Sequence, residues 1–80
     1  VSQHEKFKAK LFSRPYPTDI KFNDLIKFLQ REGFALVRIK GSHHILKKQK
    51  YTITLPKQNP VKFVYIAEVV KLLKQIESEV

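Results

Sequence analysis

Apolar residues along this chain change rhythm twice. In KFNDLIKFLQREGF, Phe22, Leu25, Ile26 and Leu29 fall at i, i+3, i+4 and i+7, the spacing that gathers one face of an α-helix. Asn23 suits an N-cap, and Asp24 suits the positive end of the helix dipole. Gly33 suits the residue just past the helix, where a left-handed backbone is common. The period then drops to two. In FALVRIK, Ala35, Val37 and Ile39 alternate with Leu36, Arg38 and Lys40, a strand pattern. Gly41 and Ser42 form a turn, and HHILKK continues as a second strand. Gln49 and Lys50 turn the chain again. YTITLP is the cleanest strand, with Tyr51, Ile53 and Leu55 on one side and Thr52 and Thr54 on the other. Pro56 ends it. After the loop KQNP, helical spacing returns through Ile66, Val69, Val70, Leu73 and Ile76.

These elements give an α+β chain in the order α-β-β-β-α. Short strands joined by tight turns predict a three-stranded antiparallel meander. The two helices are expected to cover one face of the sheet and to leave the other open. Residues 1–19 read as an N-terminal arm ahead of a domain over residues 20–80. Within the arm, HEKFKAKLF suits a short helix with Phe7 and Leu11 four apart. SRPYPTD stops it, because each proline disfavours helix at the residue before it. The arm is expected to pack on the domain through Phe7, Leu11, Phe12 and Tyr16.

Composition narrows the class. Eighty residues make one domain at most, and an apolar fraction of 42% is ordinary for a folded protein. The absence of cysteine removes disulfides and thiolate metal sites, and it fits a reducing compartment. With no apolar run of about 18 residues, no membrane span is expected. VSQHEKFKAK lacks the apolar stretch of a signal peptide. Sixteen Lys and Arg against seven Asp and Glu give a formal charge of +9. On so small a body that field favours polyanions, of which nucleic acid is the commonest.

The chemistry gathers in RIKGSHHILKK. Gly41 permits a tight bend and close approach of another backbone. Ser42 offers a hydroxyl and an exposed amide. His43 and His44 must point to opposite faces of a strand, so only one of them faces a given ligand. That splaying, with no cysteine or carboxylate close by, argues against a metal site here. Beside Arg38, Lys40, Lys47 and Lys48, one imidazole has a clear use. Free imidazole titrates near ~6.5, so it exchanges protons at neutral pH. A cationic rim would hold an RNA phosphodiester while the imidazole takes the 2′-OH proton. That route yields a 2′,3′-cyclic phosphate and a 5′-OH, requires no metal or other cofactor, and spares DNA. A surface histidine also serves merely to fill space or bond locally, so residue types alone reach no further than a basic nucleic-acid-binding domain.

The stretch LIKFLQREGFALVRIKGSHHILKK with the later YTITLP resembles the HicA family of bacterial toxins, which are mRNA interferases. The shared features are a leucine-bearing helix, a Gly-Phe exit, a strand reading LVR, then KGSHH and TITLP. The likeness runs from about Phe22 to Ile76. It implies a fold like that of double-stranded-RNA-binding domains, cleavage of mRNA in the cytoplasm, and a HicB-like antitoxin that masks the site. It also implies that the histidine directly after the Gly-Ser turn, His43, is catalytic, with His44 secondary. The RNA-binding set is then expected to be Arg38, Lys40, Gly41, Ser42, Lys47 and Lys48. KKQKY departs from the Pro- and Gly-bearing hairpin of many relatives.

Three functions fit these observations. The first is a metal-independent endoribonuclease of a type II toxin–antitoxin system. The second is an RNA-binding module of the same fold without catalysis. The third is an interaction domain that docks an acidic protein.

Overall fold

A computed structural model of the chain describes residues 2–79. Three helices and three strands follow in the order α1 (Gln3–Leu11), α2 (Phe22–Arg31), β1 (Ala35–Lys40), β2 (His43–Lys48), β3 (Tyr51–Pro56) and α3 (Phe63–Ser78). The strands form one antiparallel sheet in the order β1-β2-β3. With α2 and α3 on one face, this is the α-β-β-β-α arrangement of a double-stranded-RNA-binding-like fold, with α1 added in front.

Helix α2 begins at Phe22 rather than after Asn23. Its N-cap is Lys21, which supplies no side-chain cap. The free Phe22 amide instead donates to Asn59 Oδ1 at 2.8 Å, from the loop after β3. A side chain distant in sequence thus takes the role expected of Asn23, because the first orphan N–H groups of a helix accept any well-placed oxygen. The other end follows the Schellman pattern. The Phe34 amide donates to Leu29 O at 3.0 Å, and the Gly33 amide to Gln30 O at 3.1 Å. Gly33 has φ 101°, a conformation that side-chain-bearing residues rarely adopt.

Both hairpins close with two residues, Gly41-Ser42 and Gln49-Lys50. Gly41 and Gln49 have φ 61° and 55°, as the primed turns matched to strand twist require. Strand β1 departs from simple alternation. Its pairing slips between Leu36 and Arg38, so Leu36 lies opposite Leu46 and Ile39 opposite His44. Val37 is the extra residue of a β-bulge. Leu36 and Ile39 therefore share the helix-covered face, while Ala35, Arg38 and Lys40 share the open one.

The core lies between sheet and helices. Tyr51, Ile53 and Leu55 of β3 and Leu46 of β2 meet Phe22, Leu25, Phe28 and Leu29 of α2 and Ile66, Val69, Val70 and Leu73 of α3 in one buried cluster. Leu11 of α1 belongs to that cluster and is fully buried. Phe7, Phe12 and Tyr16 pack against it. Phe7 lies against Phe28, centroids 5.2 Å apart. Polar contacts tie the arm to the domain at its rim, His4 Nε2 to Glu32 Oε2 at 2.5 Å and Lys8 to Glu77, while Lys10 to Asp19 at 2.9 Å closes within the arm. A fully buried leucine of this kind contributes about 2–5 kcal/mol relative to alanine, so the hydrophobic seat outweighs the two partly exposed pairs to the domain, each worth at most about 1 kcal/mol.

Candidate nucleic-acid interface

Register decides which side chains share the open face. Directly paired residues project the same way, about 5 Å apart. At the hairpin end, Lys40, His43 and Pro56 form one row. Arg38, Ile45 and Thr54 form the next, and Ala35, Lys47 and Thr52 the third. His43 is exposed, with Lys40 across from it and Arg38 on the diagonal. Lys47 lies four residues further along the same face, at about 13 Å for extended chain.

His44 projects the other way. Its ring meets Phe22 edge-on, centroids 4.8 Å apart. Its Nδ1 lies 3.3 Å from Ser42 O, a contact that needs the proton on Nδ1, since a carbonyl only accepts. Lys48 also turns to the helix side. Its Nζ donates to Glu32 O at 2.6 Å, at the end of α2, and sits 6.0 Å from the centre of the Phe34 ring. Gly33 makes room for it, because a Cβ there would come within 3.1 Å of Lys48 Cε. The fold thus brings together Arg38, Lys40, Gly41, Ser42, His43 and Lys47, and separates Lys48 from them.

One cation escapes a reading by local sequence. The Lys57 amide donates to Ser42 O at 2.7 Å, which ties the loop after β3 to the Gly41-Ser42 turn. Only the β2–β3 register, with Pro56 opposite His43, could have signalled that neighbour.

The electrostatics are one-sided. No acidic residue occurs between Glu32 and Glu68, while Arg38, Lys40, Lys47, Lys48, Lys50, Lys57 and Lys62 all do. The ion pairs lie elsewhere, at the arm, α2 and the end of α3. Among the described residues, Arg38, Lys40 and Lys47 have no acidic partner, so their charge is free to act on a ligand. No group of three His, Asp or Glu side chains among the described residues lies close enough to share an ion. The open face therefore offers an imidazole, unpaired cations and the hydroxyls of Ser42, Thr52 and Thr54, with the Glu68 carboxylate of α3 bordering it only at the β3 edge, in a recess shared with Thr52 and Thr54.

The family model described as the HicA toxin of bacterial toxin-antitoxin systems matches residues 22–78, from the first residue of α2 to the last of α3. The chain belongs to the HicA toxin family. Membership makes it the toxin side of a toxin–antitoxin pair, with an antitoxin as its counterpart. Helix α1 lies outside the matched segment, so the HicA body starts where the sheet-covering helices start. Neither the curated proteins nor the solved structures compared with the chain give a match. No helix among the described residues of this HicA protein is long and apolar enough to cross a membrane.

Proposed function

We propose that this HicA-family toxin is a metal-independent endoribonuclease that cleaves mRNA across the open face of its sheet. One observation carries the reading: His43 is exposed beside Lys40, on a face whose cations Arg38, Lys40 and Lys47 have no acidic partner among the described residues.

RNA supplies the nucleophile. His43 removes the proton of a ribose 2′-OH, and the 2′-oxygen attacks the adjacent phosphorus. Lys40 and Arg38 stabilise the negative charge that builds on the phosphorane oxygens. The P–O5′ bond breaks, and the 5′-oxygen takes a proton from the imidazolium or from water. The products are a 2′,3′-cyclic phosphate and a free 5′-OH. Gly41 keeps the turn narrow, and nothing lies within 4 Å of where its Cβ would be, so a phosphate backbone can approach closely. Ser42, Lys47 and Lys57 extend the cationic and hydrogen-bonding track along which the strand lies.

The same face supplies the toxin's control. A HicB-like antitoxin with acidic side chains would neutralise Arg38, Lys40 and Lys47 and cover His43 at once. Charge complementarity of this kind makes association fast and salt-sensitive. Both events belong to the cytoplasm, where mRNA is translated.

The test is direct. Purified protein and its His43→Ala variant are incubated with unstructured RNA, and with DNA of the same sequence, in excess EDTA. Cleavage of RNA alone, by the parent alone, with cyclic-phosphate ends, is the expected result. Salt-dependent RNA binding without cleavage by either protein would reduce the function to binding.

A further inference from the structure

We propose that Phe63 is a stacking platform for one unpaired base of the RNA held at His43. The proposal rests on the RNA-cleaving reading above and adds a residue that sets how the strand is positioned.

Phe63 is the most exposed of the large apolar residues at 62%, although it opens a helix whose inner face is fully packed. Its ring borders a shallow apolar recess shared with Thr18, Pro60, Val61, Lys62 and Val64. Nothing in the packing of α3 needs an aromatic ring there. Ile66, Val69, Val70 and Leu73 form the buried stripe of that helix.

The position links the ring to the site. The loop of residues 57–62 joins the end of β3 to Phe63. Its first amide, on Lys57, donates to Ser42 O at 2.7 Å. Its last turn is held by the Val61 amide on Ile20 O at 2.8 Å, just ahead of Phe22, whose ring touches His44. The loop of residues 57–62 therefore runs from the Gly41-Ser42 turn to Phe63. Six residues of chain span at most about 20 Å, so a strand lying across His43 and leaving over Ser42 reaches the ring within a few nucleotides.

Charge selects the occupant. Lys62 lines the recess and Lys57 opens the loop that leads to it, both inside the segment that has no acidic residue. An apolar protein surface placed over Phe63 would desolvate the Lys62 ammonium without a partner. A nucleotide supplies both complements, a base face for the ring and a phosphate for the lysines. Aromatic side chains beside a cationic track bind single strands in this way, largely without regard to base identity.

The experiment uses the full chain carrying His43→Ala, which holds RNA without cutting it. A short unstructured RNA carries 2-aminopurine at successive positions, and its fluorescence and affinity are followed. Quenching is expected at one position a few nucleotides from the cleavage point. Adding Phe63→Ala should abolish that quenching and weaken binding roughly ten-fold, while Phe63→Trp should preserve both. Unchanged quenching and affinity with Phe63→Ala, where Lys47→Ala still weakens binding, would overturn the stacking role alone and give the ring to a protein partner. Failure of the His43→Ala protein to bind RNA at all would overturn both the stacking role and the RNA reading of the open face. Because Phe63 is exposed, its variants should melt at the parent temperature, so loss of fold does not mimic the result.

Discussion

The ring of His44 meets the ring of Phe22 edge-on, centroids 4.8 Å apart, one residue from an imidazole that touches no other ring. The pair anchors the start of β2 to the start of α2, and so sets the direction in which His43 faces outward. Strand alternation turns two neighbouring histidines into two different parts, one structural and one chemical.

Single substitutions should separate those parts. His43→Ala is expected to abolish RNA cleavage and to leave stability within about 0.5 kcal/mol, as for an exposed side chain. His44→Ala is expected to keep most of the cleavage and to lose about 1 kcal/mol, the scale of an aromatic pair. RNA cleavage assays and thermal unfolding of both variants check this. Equal loss of cleavage from both, at unchanged stability, would show that the imidazoles share a face.

Lys47 and Lys48 should part in the same manner. Lys47→Ala is expected to weaken RNA binding and to lower the slope of log affinity against log salt by about one contact, with stability unchanged. Lys48→Ala removes the ammonium that holds Glu32 O at 2.6 Å. It is expected to cost about 1–2 kcal/mol of stability, as loss of a charged hydrogen bond to a half-buried carbonyl does, and to leave the salt slope alone. Salt-titrated binding and chemical denaturation of the two variants decide the matter.

Much of this was legible because periodicity reports burial. The stripe of Phe22, Leu25 and Leu29, the alternation of Tyr51, Ile53 and Leu55, and the stripe of Ile66 to Leu73 all describe faces that the fold buries. Gly33 was legible for the same local reason, its left-handed backbone. What was hidden depends on distant partners. The cap of α2 comes from Asn59, thirty-seven residues away, and no local rule points there. The bulge at Val37 reverses the phase of β1 midway, so Ala35 joins Arg38 and Lys40 on the open face. Without that slip, Arg38 and Lys40 would lie with Leu36 on the face of Leu46. Alternation alone does separate Lys47 from Lys48, but only the packed C-terminus of α2 shows what Lys48 does instead.

Docking of α1 should be indifferent to pH over a wide interval as far as its two lysine pairs are concerned. The hydrogen bond to Glu77 holds the Lys8 ammonium above its ordinary 10.5. Its contribution is therefore complete below 10.5 and fades as pH rises through the higher folded value. The hydrogen bond from Lys10 holds the Asp19 carboxyl below its ordinary 3.8. That contribution is complete above 3.8 and fades as pH falls through the lower folded value. The difference in melting temperature between the parent and a Lys8→Met, Lys10→Met double variant should stay constant between those limits and shrink outside them. A difference that changes through neutral pH would assign control of the arm to another group.

The last prediction concerns a polar atom in the wrong company. Tyr51 opens β3 opposite Lys48, and its ring is buried in the core. Among the described residues its hydroxyl has no hydrogen-bond partner in the protein. An unsatisfied buried group of this kind costs about 1–3 kcal/mol. Tyr51→Phe keeps the ring and removes the oxygen. The variant should therefore be more stable by about 1 kcal/mol, since relaxation around the site recovers only part of the penalty, and its RNA binding and cleavage should equal those of the parent because the side chain faces the helices. Denaturant unfolding of the two proteins measures the sign. A less stable variant would mean that the hydroxyl is satisfied in solution and that the end of the sheet beside α3 admits water.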